Sequence, residues 1–162
     1  MSPPVKLSAE HDLSGFDSGE PVLDEWLRRR ALQNEASGAS RTYIACAGRR
    51  VAGYYTLAVG AAARVDSPGR VRRNMPDPLP VMVIGRLAVD KRFQGRGVGT
   101  GLLRDAILRT LRAAQIAGIR GILVHAISEE AKRFYESLGF YPSPVDPLTL
   151  MITVAEAVKQ AK

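Results

Sequence analysis

Residues 81–103, VMVIGRLAVDKRFQGRGVGTGLL, constrain the fold more strongly than any other part of the chain. An apolar run typical of a strand leads through a basic turn into a glycine-rich loop and then into a helical pattern. The glycines that alternate at this junction are Gly95, Gly97, Gly99 and Gly101. Backbone N–H groups at a helix start bind anions when small residues leave them uncovered. The segment therefore predicts a site for a phosphate-bearing ligand.

Length and composition indicate one globular domain over residues 1–162, with 46% hydrophobic and 24% charged side chains. No apolar run approaches the ~20 residues of a membrane span, and the N-terminus lacks the apolar stretch of a signal peptide. The single cysteine, Cys46, excludes an internal disulfide, and its place in a strand pattern predicts a buried thiol. We expect a soluble cytoplasmic protein that does not bind membranes.

The positive charge is concentrated in the centre of the chain. The formal net charge is +7, and residues 41–112 carry 14 basic against 4 acidic side chains. A block with this bias predicts a polyanionic partner, either the phosphates of a cofactor or a nucleic acid. The alternative is a solvated basic surface without a specific ligand.

The N-terminal half predicts one helix, two strands that form a hairpin, and one long loop. These elements cover residues 20–36, 42–47, 51–59 and 60–80, respectively. Asp17 and Ser18 are candidate caps for the helix. Gly48 and Arg49 form the predicted turn of the hairpin. The loop combines prolines with arginines and is long enough to indicate a function of its own.

The C-terminal half alternates strands and helices. The predicted strands cover residues 81–89, 121–126 and 148–154. One helix runs from the glycine loop to about Ala117, before Gly118. A second begins near Ser128 as its cap and ends at Leu138 and Gly139. Residues 155–162 form a short terminal helix or a frayed tail.

The spacing of the glycines excludes two common phosphate-binding loops. A Walker-type loop requires G-x-x-x-x-G-K-[ST], and no register of the segment satisfies it. The dinucleotide fingerprint G-x-G-x-x-G also fails in every register. Glycines that only allow close packing of the helix against the sheet would explain Gly101, but not four alternating glycines.

The pattern Q/R-x-x-G-x-G/A fits residues 94–99, QGRGVG, without adjustment. It resembles the coenzyme A pyrophosphate loop of the GCN5-related N-acetyltransferase (GNAT) superfamily, and RLAVD before it and FYESLGF after it follow the family's order. The resemblance implies an α/β (α+β) fold. In that fold a mixed, mostly antiparallel central sheet is flanked by helices, and central strands splay apart to hold acetyl-CoA. The implied cofactor-binding residues are Leu87, Ala88 and Val89 for the pantetheine arm, and Gln94, Gly95, Arg96, Gly97, Val98, Gly99 and Thr100 for the pyrophosphate.

Acetyl transfer to an amine requires a stabilised thioester oxygen, a neutral amine and a proton for the leaving thiolate. The backbone N–H near Leu87 is the candidate oxyanion donor. The resemblance assigns Tyr135, in the family's F-Y-x-x-x-G-F segment, as the catalytic tyrosine that points at the coenzyme A sulfur. A phenol with a pKa near 10 is protonated at neutral pH and can donate a proton. The alternative is that Tyr135 only packs beside Phe134 and Phe140.

The remaining candidates are weaker. His125 could relay a proton, but a histidine at a strand end is more often structural, and we assign no role to His11. No residues have metal-ligand spacing, so no metal is expected. No general base is evident, which suits an α-amino group: its pKa is near 8, a neighbouring ester lowers it, and it is then substantially neutral at pH 7.

Longer segments resemble the GNAT toxins of bacterial type II toxin–antitoxin modules. They are HDLSGFDSGEPVLDEWLRRRALQ, GYYTLA, IGRLAVDKRFQGRGVGTGLLRDAI and IRGILVHAISEEAKRFYESLGFYPSP, within residues 11–151. Members of this group acetylate the α-amino group of the amino acid on charged tRNA and so stop translation. The resemblance also implies a cognate ribbon-helix-helix antitoxin and a homodimer.

The basic central block agrees with binding of a tRNA acceptor stem, because arginine and lysine contacts to phosphates provide much of the affinity for nucleic acid. Candidate contacts are Arg28, Arg29, Arg30, Arg64, Arg70, Arg72 and Arg73. Two alternative functions remain. One is a GNAT enzyme that acetylates a small amine or a protein N-terminus. The other is a non-catalytic coenzyme A-binding protein, which would have no need of a proton donor at Tyr135.

Overall fold

The structure is a computed structural model that describes residues 1–160. It contains a seven-stranded sheet in the order β1-β2-β3-β4-β5-β7-β6. The strands are β1 Val5–Lys6, β2 Arg41–Ala47, β3 Arg50–Ala62, β4 Leu79–Val89, β5 Gly121–His125, β6 Tyr141–Pro142 and β7 Thr149–Thr153. The helices are α1 Pro21–Arg29, α2 Ala31–Ser37, α3 Gly69–Arg72, α4 Val98–Ala114, α5 Glu129–Ser137 and α6 Val154–Gln160.

Strand directions confirm the predicted mixed, mostly antiparallel sheet. Strands β4 and β5 run parallel, whereas β1 with β2, β2 with β3, β5 with β7, and β6 with β7 are antiparallel. A parallel pair needs a long crossover between its strands, and α4 supplies it between β4 and β5.

Tertiary contacts group the chain into two compact units. The first unit comprises residues 1–58 and 85–106, and the second comprises residues 59–84 and those from 107 onwards. Strands β3 and β4 and helix α4 continue from one unit into the other along the chain. The single domain over residues 1–162 stays a prediction.

In the first unit, aromatic side chains hold α1 against β3. Tyr54 is fully buried, and its hydroxyl donates to the backbone oxygen of Leu23 at 2.7 Å. The Phe16 ring meets Tyr54 edge-on, and the Trp26 ring stacks on it. The hydroxyl of the next residue, Tyr55, donates instead to Asp105 of α4. Successive side chains of a strand point to opposite faces, so α1 and α4 lie on opposite faces of the sheet in this unit.

In the second unit, β5 is buried from Gly121 to Val124. One apolar cluster of this unit consists of Val71, Leu79, Val81, Leu123 and Met151.

The prediction of one helix over residues 20–36 is wrong, because the chain leaves helical geometry at Arg30 (φ −120°, ψ −26°) between α1 and α2. The caps are also corrected. Glu20 is the N-cap of α1, and it makes no side-chain capping bond. Ser18 instead donates its N–H and its hydroxyl to the Asp24 carboxylate.

The predicted hairpin is confirmed and is longer than expected. Its turn places Gly48 at φ +63°. Residues 60–80 are less irregular than predicted, because β3 extends to Ala62, α3 forms within the segment, and β4 begins at Leu79. Strands β1 and β6 were not predicted, since two residues carry no recognisable pattern.

The C-terminal predictions are largely confirmed. Helix α4 ends at Ala114 rather than near Ala117. Ser128 caps α5 by accepting from the Ala131 N–H at 3.1 Å, and Gly139 follows the helix at φ +96°. Helix α6 corresponds to the predicted terminal helix, whose last two residues lie outside the described part. No helix in the described part of the chain is long and apolar enough to cross a membrane.

Candidate active site

The glycine loop joins the end of β4 to the start of α4 in the first unit. Gly95 and Gly97 have φ values of +77° and +81°, which lie in the left-handed region that favours glycine. A Cβ at either position, or at Gly101, would meet nothing within 4 Å beyond the adjacent residues of the chain and the backbone of its own helix. Backbone conformation therefore requires the first two glycines, and space is left open above all three. The close-packing explanation for Gly101 is wrong.

Close packing occurs on the neighbouring strand instead. A Cβ at Gly53 of β3 would come within 2.8 Å of the Leu102 side chain and 2.9 Å of the Ala88 backbone oxygen. Gly53 thus allows the start of α4 and the end of β4, which flank the glycine loop, to approach β3.

The start of α4 presents backbone donors. The Gly101 N–H donates to the Gly97 oxygen at 3.0 Å. The N–H groups of Val98, Gly99 and Thr100 precede this bond and have no carbonyl acceptor within the helix. Together with the helix dipole they make this end of α4 suited to bind an anion, and the pyrophosphate assignment of the loop stays a prediction. Arg96 is exposed beside them, with its guanidinium carbon 5.8 Å from the Phe93 ring centroid.

Gln94 holds the loop in shape. Its side-chain amide donates to the Val89 oxygen at 2.8 Å and to the Ser18 oxygen at 2.9 Å. Both N–H groups of the amide are therefore engaged within the protein. Direct contact of Gln94 with the cofactor stays a prediction, whereas its bonds to β4 and to the N-terminal segment are structural.

Asp90 anchors the turn before the loop, and only 1% of its surface is exposed. Its carboxylate accepts from the N–H and guanidinium of Arg92 and from the Asp17 N–H, at 2.9–3.1 Å. The hydrogen bond from the Arg92 side chain is the main cause that lowers the pKa of Asp90 to about 2. The carboxylate is therefore ionised at neutral pH and ties residues 90–92 to the N-terminal segment.

The predicted pantetheine segment is the last part of β4. Ala88 is buried, and Leu87 and Val89 are partly exposed. β4 pairs with β5 from Val81 to Ile84, opposite Gly121 to Val124, although β4 continues for five residues beyond that register. Because β5 ends at His125, one residue beyond this register, the divergence of two central strands stays a prediction.

Tyr135 lies on α5 in the second unit, with 5% of its surface exposed. Its ring packs edge-on against Phe134 and Phe140, at 5.2 and 5.8 Å between ring centroids. Burial raises the pKa of its phenol above the ordinary value. Within the described part of the chain, its hydroxyl makes no hydrogen bond. The ring thus packs beside Phe134 and Phe140, as the packing alternative predicted, and the hydroxyl keeps its proton.

The structure also shows the surroundings of the histidine and cysteine candidates. His125 is exposed, and its Nδ1 lies 3.1 Å from the Thr149 hydroxyl. Cys46 is only partly buried, so the prediction of a buried thiol is wrong. Its neighbourhood still raises the pKa of the thiol through burial. Among the described residues, no group of three or more potential ligands could hold a metal ion.

The arginines predicted to contact tRNA differ in their partners. Arg28 donates to the Phe16 oxygen, Arg64 donates to the Arg72 oxygen, and Arg70 pairs with Glu156 at 3.7 Å. Arg29, Arg30, Arg72 and Arg73 are exposed.

Sequence reasoning missed Arg86, whose guanidinium carbon lies 4.1 Å from the Trp26 ring centroid. The available signal was an arginine inside an otherwise apolar strand.

The model of the acetyltransferase (GNAT) domain matches residues 38–142. The chain belongs to the GNAT acetyltransferase family. It is an acetyltransferase, and its co-substrate is acetyl-CoA. The glycine loop and the mixed sheet are features of the described chain that suit this family.

Its relatives include a group of toxins. The chain is 53% identical over 156 residues to the tRNA-acetylating toxin of Mycobacterium tuberculosis (strain ATCC 25618 / H37Rv), covering 96% of this chain and 94% of that protein. The structure of AtaT complexed with acetyl-methionyl-tRNAfMet is similar, with a TM-score of 0.90, 30% identity and 98% of both chains covered. An AtaT mutant toxin bound to the C-terminus of the antitoxin AtaR and acetyl-CoA gives a TM-score of 0.82 and 31% identity, covering 95% and 94%.

Proposed function

We propose that this chain transfers the acetyl group of acetyl-CoA to the α-amino group of the amino acid on charged tRNA, and that it thereby blocks translation as a toxin. The observation that carries the proposal is the 53% identity, over nearly the whole chain, to a tRNA-acetylating toxin. The likeness to AtaT in complex with an acetylated aminoacyl-tRNA supports the same substrate class.

The glycine loop supplies the cofactor site in this proposal. The N–H groups of Val98, Gly99 and Thr100 bind the pyrophosphate, and Arg96 adds a positive charge beside them. Gly95 and Gly97 keep the backbone in the required conformation. Leu87, Ala88 and Val89 pair through their backbone with the pantetheine arm, as an added strand would.

The reaction is a direct transfer. The neutral amine nitrogen attacks the thioester carbon, and the developing oxyanion accepts a hydrogen bond from the backbone N–H near Leu87. The carbon–sulfur bond then breaks, and Tyr135 donates its proton to the leaving thiolate. The proton that the amine loses goes to solvent, and solvent returns one to Tyr135. The raised pKa of Tyr135 suits an acid that must start protonated.

A labelled-acetyl transfer assay tests the substrate. The protein is mixed with labelled acetyl-CoA and either total charged tRNA or the same tRNA after deacylation. We expect label only in the charged sample, released together with the amino acid on mild alkaline hydrolysis of the ester. Label in both samples, or in neither, contradicts the proposal. Label on a small amine or a protein N-terminus, without label on tRNA, would establish the alternative acetyltransferase function.

Partners follow from the same proposal. The antitoxin of the AtaT complex binds through its C-terminus, and we infer a cognate antitoxin for this chain. A ribbon-helix-helix domain in that antitoxin and a homodimeric toxin remain predictions from the resemblance. The proposed substrate also implies a cytoplasmic location.

A further inference from the structure

Arg86 of β4 is a half-buried cation. It makes no hydrogen bond and no ion pair with any residue in the described part of the chain, and its close contact is the Trp26 ring at 4.1 Å. A guanidinium has five N–H donors and is charged at every physiological pH. Partial burial of such a group is unfavourable unless an acceptor compensates it. The guanidinium is therefore able to bind an anion.

The guanidinium is held on a fixed aromatic support. The Trp26 ring stacks on Tyr54 with 6.1 Å between centroids and an interplanar angle of 7°. Tyr54 is in turn fixed by its bond to the Leu23 oxygen and by the edge of Phe16. Stacking on an aromatic face leaves the edge of the guanidinium free to bind an oxyanion in bidentate fashion. The arrangement is preorganised for a phosphate.

The face of the sheet on which Arg86 lies indicates which phosphate it can bind. In the first unit α1 and α4 lie on opposite faces, because Tyr54 reaches α1 and the adjacent Tyr55 reaches α4. The proposed pyrophosphate site is the N-terminus of α4, whereas Arg86 lies against Trp26 of α1. The phosphates of the cofactor therefore belong to the other face. Arg86 also directly precedes Leu87, whose backbone N–H is the proposed oxyanion donor.

We propose that Arg86, supported by Trp26, binds the phosphate of the 3′-terminal nucleotide of charged tRNA. This inference rests on the proposed function. In charged tRNA that phosphate is the one closest to the ribose ester that carries the reacting amino acid. Binding it would place the amine beside the thioester, and would distinguish a tRNA end from a free amino acid.

The test compares two acceptors that differ in this phosphate: charged tRNA, and the same amino acid esterified to adenosine. We expect Arg86→Gln to lower the ratio of kcat/KM for charged tRNA to that for the adenosine ester by 10- to 100-fold, which corresponds to roughly 1.5–3 kcal/mol for a charge-assisted contact. Arg86→Lys should lower this ratio by an intermediate factor, because lysine keeps the positive charge but lacks the bidentate guanidinium. If Arg86→Gln does not fold, the Arg86→Lys variant provides the test. Arg49→Gln, in the hairpin turn, removes the same charge elsewhere and serves as the matched control.

Each contrary outcome has its own meaning. An unchanged ratio in both Arg86 variants, with wild-type protein active on charged tRNA, overturns the assignment of Arg86 alone. A similar loss on both acceptors indicates a structural role and also overturns it. Weaker acetyl-CoA binding by Arg86→Gln, measured by calorimetry, would show that the anion is a cofactor phosphate. Wild-type protein that leaves charged tRNA unmodified overturns the proposed function, and this inference with it.

Discussion

Tyr135 combines a packed ring with a hydroxyl that makes no hydrogen bond to any residue between positions 1 and 160. Burial of the phenol raises its pKa, so the group stays protonated across the pH range in which an α-amine loses its proton. These properties suit a proton donor. The sequence motif identifies the residue, but only the structure shows that packing and a free hydroxyl occur together.

Replacing Tyr135 with phenylalanine removes the proposed acid and keeps the ring contacts with Phe134 and Phe140. We expect kcat to fall by roughly 10²- to 10⁴-fold, the usual contribution of a positioned acid, with the Kd for acetyl-CoA nearly unchanged. Steady-state kinetics and calorimetry measure the two quantities. Tyr141→Phe, another tyrosine of the second unit, is the control. Turnover that is equally fast in both variants would remove Tyr135 from the mechanism.

At the scale of elements, the junction of β4 with α4 depends on two kinds of residue. Gly95 and Gly97 supply left-handed backbone, and Gln94 and Asp90 bind the N-terminal segment through their side chains. The first kind is recognisable from sequence, because glycine is needed locally. The second is not, since the partners Asp17 and Ser18 lie more than 70 positions earlier in the chain.

Substitution of Gly97 separates backbone strain from charge. Alanine at φ +81° costs roughly 1–2 kcal/mol, because a Cβ disfavours left-handed backbone. Gly97→Asp adds a carboxylate beside the proposed pyrophosphate, so we expect its Kd for acetyl-CoA to exceed that of Gly97→Ala at least tenfold. Calorimetry on both variants measures the difference. Equal affinities would contradict the pyrophosphate assignment of the loop, because strain alone would then explain any loss.

Asp90 makes the stability of the protein sensitive to acid. Its pKa is lowered from 3.8 to about 2 by the folded-state bonds. A depressed pKa stabilises the folded state above the unfolded value, and this contribution disappears as the pH falls from about 4 to about 2. Solvent around the exposed Arg92 screens part of the effect, which leaves on the order of 1–2 kcal/mol.

Urea unfolding of wild-type protein and Asp90→Asn, between pH 6 and pH 2.5, tests this contribution. We expect the wild-type protein to be more stable at pH 6 and the difference to narrow as the pH falls. Glu25→Gln, an exposed carboxylate of α1, is the control and should show no comparable narrowing. A difference that is constant with pH would show that the charge of Asp90 does not contribute.

At the scale of the whole molecule, the distribution of charge along the chain agrees with the proposed anionic partners, acetyl-CoA and charged tRNA. Residues 1–40 carry 4 basic and 7 acidic side chains, whereas residues 41–112 carry 14 and 4. The central stretch contains the glycine loop and Arg86. Its positive charge therefore lies at the proposed sites for the pyrophosphate of acetyl-CoA and for the tRNA phosphate. Some arginines of this stretch already have partners within the protein, such as Arg70 with Glu156, and fewer are then available to bind tRNA.

Binding of charged tRNA should depend strongly on salt. Each phosphate that the protein neutralises releases counterions, so a handful of contacts lowers affinity by roughly tenfold or more between 50 and 200 mM salt. We expect KM for charged tRNA to rise accordingly, while KM for an aminoacyl-adenosine ester, which has no phosphate, changes little. Initial rates at the two salt concentrations measure both. A parallel change for the two acceptors would argue against a phosphate-binding surface.

The sequence by itself determined the features that depend on neighbouring residues. Strand, turn, glycine loop, capped helix and hairpin follow from local periodicity and backbone preference, and Gly97 and Tyr135 could be named from short motifs. Tertiary structure alone decided which side chains form hydrogen bonds or packing contacts within the protein and which do not. It interrupted the first helix at Arg30, engaged the Gln94 amide, placed the close approach at Gly53 rather than Gly101, and stacked Arg86 on Trp26. The physical reason is that these contacts join residues distant in the chain, and local pattern carries no information about such pairs.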